Sequence, residues 1–247
     1  MARTFHQSRL LAASLLVASA FMPRPAAAQT DATPSFKTLD SIDARVQGCV
    51  TCHGHRGEGT ASGYFPRIAG KPSGYLYNQL AAFRDGARKY PPMNYLVATL
   101  PDAYLREIAD HFAQERPPFE PPVAPPPGAS PLLRGKTLAM AGDATTGVPA
   151  CVQCHGAGLT GMQPAIPGLV GLRSNYIVAQ LTSWRVGNRH AIAPDCMKRI
   201  AFRLTDADVG AVAAWLSQQA PPNDAAPGSA DLERMPLACG SQGQVER

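Results

Sequence analysis

Apolar residues recur at spacings of three and four along much of this chain, and the segments they mark come in two sets. Leu39, Ile42 and Val46 form one stripe over residues 36–47, and Leu76, Leu80 and Phe83 form another over residues 75–88. A third helix opens at Pro101 and Asp102, a proline and an acid suited to a first turn, and presents Tyr104, Leu105, Ile108 and Phe112 on one side. Further along, Thr205 and Asp208 make a capping-box pattern ahead of Val209, Val212 and Leu216, and Pro221 stops the run. No stretch alternates in the manner of a strand, so the expected class is all-α.

The two sets are copies of one unit. Gly54 answers Gly156, and Pro66, Ile68 and Gly70 answer Pro167, Leu169 and Gly171. Tyr75, Gln79, Leu80, Phe83, Arg84, Gly86 and Arg88 answer Tyr176, Gln180, Leu181, Trp184, Arg185, Gly187 and Arg189. The offset stays between 101 and 104 residues, a register that implies the same fold twice. Between the copies, eight of the sixteen residues 116–131 are proline, which predicts a stiff, extended linker that joins neither core. The expected organisation is a leader over 1–28, a first domain over 29–115, the linker over 116–131, a second domain over 132–219 and a tail over 220–247.

The leader reading rests on Arg3 and Arg9, an apolar run over 10–22 and the small residues up to Ala28. The run falls short of the ~20 apolar residues that cross a bilayer, so export to the periplasm is expected. The formal charge of +5 drops to +2 once Arg3, Arg9 and Arg24 leave with it. That small excess, with no basic run interleaved with aromatics, gives no reason to expect a nucleic-acid partner. Membrane contact is expected only through an uncleaved leader or a partner.

The chemistry lies in Cys49, Cys52 and His53, and again in Cys151, Cys154 and His155, two C-x-x-C-H motifs. Two thiols on one helical turn can each add to a vinyl group of one haem, and the adjoining histidine then becomes an axial ligand of the iron. The histidine disfavours a redox dithiol or half of a zinc site. The cofactors expected are therefore two covalently bound haem c groups, with His53 and His155 on their irons. Met93 is the only methionine between leader and linker and is placed in a loop over 90–94. Of Met140, Met162, Met197 and Met235, Met197 alone stands in register, seven residues before Leu204 as Met93 stands before Leu100. Met93 and Met197 are the sixth ligands expected, with His111 and His190 as alternatives. A thioether there favours reduced iron.

C-x-x-C-H followed by P-x-[IL]-x-G and a distal methionine before a terminal helix resembles the class I cytochrome c fold. The tandem copies, each carrying Y-[LI]-x-x-Q-L-x-x-[FW]-R-x-G-x-R, resemble the di-haem periplasmic cytochromes c of the c-four group over residues 36–115 and 133–219. The resemblance implies two tandem class I cytochrome c domains, each a few helices around one haem. It also implies that the Pro66 and Pro167 carbonyls accept the ring N–H of His53 and His155, and that Ile68 and Leu169 pack on haem. Arg84 with Arg88, and Arg185 with Arg189, are spaced to share a helical face. They form either a solvated stripe or a set that neutralises haem propionates or lines the domain interface.

Four of the six cysteines are committed to haem, which leaves Cys196 and Cys239 for a disulfide in an oxidising compartment. The competing reading has Cys196 ligate iron, as in some thiosulfate-oxidising di-haem enzymes. With both irons six-coordinate, the expected function is single-electron transfer between periplasmic donor and acceptor proteins, a dehydrogenase or terminal oxidase among them. The alternatives are a catalytic di-haem enzyme, either a peroxidase or a thiosulfate dehydrogenase, and a fixed cytochrome subunit of a dehydrogenase or oxidase complex.

Overall fold

Each copy wraps short helices around a cleft, and the two clefts lie against a shared boundary in the computed structural model, which describes residues 40–122, 129–230 and 234–242. The leader assigned to residues 1–28 lies outside the described residues. Among those described, no helix is long and apolar enough to cross a membrane.

The first copy runs α1 (Ile42–Arg45), α2 (Gln47–His53), α3 (Ser73–Arg84), α4 (Pro91–Val97) and α5 (Asp102–Gln114). The segment expected as one helix over 36–47 is broken at Val46, which caps α1 and precedes α2. Ile42 and Val46 of the stripe pack with Leu76, Ile108 and Phe112, and Leu39 lies outside the described residues. Phe112 is 1% exposed, and burying such a side chain contributes about 1.5–3 kcal/mol. α4 corrects a second expectation: Met93 lies in a helix, not a loop. Pro91 and Pro92 occupy its first turn, where a missing N–H costs nothing.

The second copy runs α6 (Ala129–Met140), α7 (Val152–His155), α8 (Ser174–Arg185), α9 (Cys196–Arg203) and α10 (Asp206–Leu216). Thr205 and Asp208 close the capping box that starts α10. Gly135 lets α6 lie directly on α10, since a Cβ there would overlap the Ala211 carbonyl. α6 also starts inside the stretch assigned to the linker. Another departure is a small sheet, made by β1 (Gly161–Gln163), β2 (Ile166–Pro167) and β3 (Gly228–Ser229) in the order β2-β1-β3. β1 pairs antiparallel with β2 and parallel with β3 from the tail. Strands of two or three residues are too short to show alternation, so periodicity had nothing to register.

Arg134 of α6 ties this copy together: its Nε donates to Asp208 at 2.7 Å and its Nη2 to Asp143 at 2.8 Å. The Thr145 hydroxyl and then Arg134 pull the Asp143 carboxyl down to about 2, and Arg134 first and Thr205 after it hold Asp208 below its usual range. Both groups have a lower pKa folded than the ~3.9 of an unfolded aspartate. Their contribution is therefore complete above about pH 4 and is lost as pH falls towards 2. Urea midpoints measured across that window should fall less steeply in Arg134→Met than in the native chain. Parallel acid limbs would contradict this.

Candidate functional site

The last turn of α2 carries Cys49, Cys52 and His53, and Gly54, at φ +83°, turns the chain away immediately afterwards. Gly156 does the same after His155 at φ +82°, a conformation that glycine adopts without steric penalty. His53 Nδ1 lies 2.9 Å from the Pro66 carbonyl, and His155 Nδ1 lies 2.8 Å from that of Pro167. A carbonyl only accepts, so each Nδ1 donates and each Nε2 keeps its lone pair for a metal. Burial lowers the pKa of both imidazoles, which favours the neutral form that ligates. Burial also pushes the Cys49 and Cys151 thiols up to about 11.

The first cleft is walled by His53, Ile68, Phe83, Met93 and Phe112, with Cys49 and Cys52 on its rim. The second is walled by His155, Leu169, Trp184, Met197 and Leu216, with Cys151 and Cys154. The structure thus brings each attachment histidine into one cleft with the methionine in register. His111 and His190 line neither cleft, and neither do Met140, Met162 and Met235. The indole Nε1 of Trp184 and the amide Nε2 of Gln242 are buried without an acceptor, and both residues line the second cleft. Arg67 Nε is a third such donor, on a residue of the first. Apolar walls with unsatisfied donors fit a flat apolar macrocycle bearing carboxylates. Among the described residues no group of three or more His, Cys, Asp or Glu side chains is placed to hold a metal ion, which is what a zinc site needs.

The arginine pairs divide. α3 ends at Arg84 and α8 at Arg185, so Arg88 and Arg189 lie beyond the helices and share no face with them. Arg84 pairs on the surface with Asp85 and Asp102, and Arg185 with Asp206. Arg88 and Arg189 instead form the seam between the copies, paired as a β-bridge and flanked by Lys89 N–H to Asn188 C=O at 2.7 Å and His190 N–H to Ala87 C=O at 2.8 Å. Arg88 donates to Gln79, Tyr176 and Gln180; Arg189 donates to Gln180, Tyr75 and Gln79. Equivalent residues of the two copies thus face each other across a local two-fold.

The described part of the linker also joins the core. Arg67 donates to the Pro118 carbonyl at 2.9 Å and the Pro117 carbonyl at 2.6 Å, and its guanidinium lies 3.9 Å from the centre of the Phe119 ring. Proline lacks an N–H but keeps its carbonyl, so a proline-rich strap still accepts from both terminal nitrogens of a buried guanidinium.

Cys196 is bonded to Cys239, 43 residues on, which removes the thiolate that an iron-ligating Cys196 requires. The bond brings the tail to the second cleft. Gly240 N–H donates to the Pro194 carbonyl at 3.0 Å, Gln242 Oε1 accepts from Ala165 N–H at 2.9 Å, and Leu237 and Ser241 join the lining. Lys71 and Gln242 escaped the sequence reading because neither belongs to a motif, whereas Trp184 stands in the repeat as the counterpart of Phe83.

Residues 44–110 and 132–220 each match the cytochrome c family. The chain is 39% identical over 171 residues to a thiosulfate dehydrogenase electron acceptor from Thiomonas intermedia, covering 69% of this chain and 78% of that one. Among solved structures, reduced recombinant cytochrome c4 from Pseudomonas stutzeri is 28% identical and superposes with a TM-score of 0.62, covering 71% of this chain and 95% of that one. A thiosulfate dehydrogenase from Marichromatium purpuratum is 30% identical with a TM-score of 0.62, but the match covers 70% of this chain and only 36% of that longer one. The two folded units and their attachment motifs define a tandem c-type cytochrome. The chain belongs to the cytochrome c family, as a di-haem member that resembles cytochrome c4 and carries two covalent haem c groups, on Cys49 and Cys52 and on Cys151 and Cys154.

Proposed function

We propose that this protein is a periplasmic carrier that passes single electrons between partner proteins through two haems ligated by His53 with Met93 and by His155 with Met197. One observation carries the reading: each cleft holds a histidine fixed through Nδ1 and a methionine, and both clefts are lined by Tyr75, Gln79, Tyr176, Gln180 and Arg189 at the seam. Haem iron supplies a one-electron couple. The chain holds a neutral imidazole with Pro66 or Pro167, offers a thioether from α4 or α9, and excludes water with apolar walls. With both axial positions taken, no substrate reaches the metal. Arg189, buried, and Arg88, half-buried, would offer donors to haem propionates at the seam.

The relative from Thiomonas intermedia is named for accepting electrons from a thiosulfate dehydrogenase, and on that likeness we place a dehydrogenase of this kind on the donor side. Mixing the oxidised holoprotein with thiosulfate, with and without a purified thiosulfate dehydrogenase, tests both points. Reduction of two haems per chain only when the dehydrogenase is present is the expected result. Reduction by thiosulfate alone would make the chain itself the enzyme. Reduction by neither, in a protein that dithionite reduces normally, would remove thiosulfate oxidation from the donor side.

A further inference from the structure

Several polar side chains of the seam are repeated between the copies, and Lys71 is not among them. Tyr75, Gln79 and Arg88 face Tyr176, Gln180 and Arg189, but Lys71 corresponds to Leu172. Lys71 is 9% exposed and lines both clefts. Its ammonium crosses the seam and donates to the Gly168 carbonyl at 2.9 Å. Gly168 follows Pro167, whose own carbonyl takes the N–H of His155. Arg67 is the charged neighbour that acts on the ammonium, and it repels it; no carboxylate is among the groups that do. Burial lowers its pKa to about 8, which still leaves it mostly protonated near pH 7.

A buried cation without a counter-ion is unfavourable unless something nearby compensates it. Here the compensation available is one backbone carbonyl together with the acidic groups that haem brings into the clefts. A fixed positive charge behind a proximal histidine disfavours the ferric state, which carries one more positive charge than the ferrous. Neutralising a propionate acts in the same direction. Leu172 makes no such contribution towards the first cleft.

We propose that Lys71 is a positioning residue of the second haem: reaching across the seam from the first domain, it steadies the Pro167–Gly168 backbone that grips His155 and makes the second haem the easier of the two to reduce. The inference rests on the two attached haems and not on the identity of any electron donor.

The test is a spectroelectrochemical titration of the holoprotein and of Lys71→Met, Lys71→Gln and Lys71→Arg. The same set in a Cys49→Ala background leaves one vinyl group of the first haem free, which shifts its visible band and shows which wave belongs to which haem. In Lys71→Met the reduction equilibrium constant of the second haem should fall roughly tenfold, about 59 mV for a one-electron couple, while the first changes by less than about twofold. Lys71→Gln keeps a donor without the charge, so a full loss there assigns the effect to charge and a retained value assigns it to the hydrogen bond. Lys71→Arg should recover most of the native value. Equal shifts at both haems, a shift confined to the first, or no shift of the second haem in Lys71→Met would overturn the proposal. If Lys71→Met does not load haem, Lys71→Ala, which also removes both the charge and the donor, is titrated in its place and judged by the same criterion.

Discussion

Alanine at Met93 is expected to convert one of the two haems from low spin to high spin and to lower its midpoint potential by a few hundred millivolts, a sizeable part of the ~0.8 V over which axial ligands tune haem. The other haem should be nearly unaffected. Met93 is presented by α4, and Asn94 pins that helix to the end of α3. Its side chain accepts from Tyr90 N–H at 2.7 Å and donates to the carbonyls of Phe83 at 2.5 Å and Arg88 at 2.8 Å. With the helix held this way, neither His111 nor His190 is placed to replace the truncated side chain, since they line neither cleft. The open position should bind carbon monoxide, and the weak far-red band of a sulfur–iron bond should lose about half its intensity. Met197→Ala should do the same at the second haem. A variant that stays low spin, keeps both potentials and excludes carbon monoxide would remove Met93 from the iron.

The second large effect is on stability. Cys196 and Cys239 close a loop of 43 residues, worth about 4 kcal/mol in the chain-entropy account of a cross-link. The double variant Cys196→Ala/Cys239→Ala should therefore melt roughly 8–16 °C lower. The loss belongs to the second copy, because the tail is held on that side by β3 against β1, by Gly240 against the Pro194 carbonyl and by Gln242 against Ala165. Calorimetry on the holoprotein should show the shift, and free-thiol titration of the denatured native chain should find no reactive thiol. A melting point within about 2 °C of the native value would mean that the tail adds nothing to the fold.

Several elements were legible because their physics is local. A capping box needs two residues between hydroxyl and carboxylate, and Thr205 and Asp208 are so spaced. Thioether attachment needs two thiols and a histidine on one helical turn, which the spacing of Cys49, Cys52 and His53 encodes directly. The repeat followed from register alone. Met93 lies in α4 and not in a loop, because Pro91 and Pro92 fall in the first turn of the helix, where proline is tolerated. Arg84 and Arg88 were given one helical face because their spacing is right, but α3 ends at Arg84 and only Arg88 enters the seam.

By itself the chain's order of residues determined the two units, the attachment chemistry of each and the mainly helical frame, because these depend on neighbours within a turn or two. Tertiary structure alone decided the small sheet, which residues face each other at the seam, that the proline strap accepts from two nitrogens of Arg67, and that Lys71 meets Gly168, 97 positions away. A contact of that range leaves no periodicity behind. It exists only once two clefts have been brought together and a buried charge must find an acceptor.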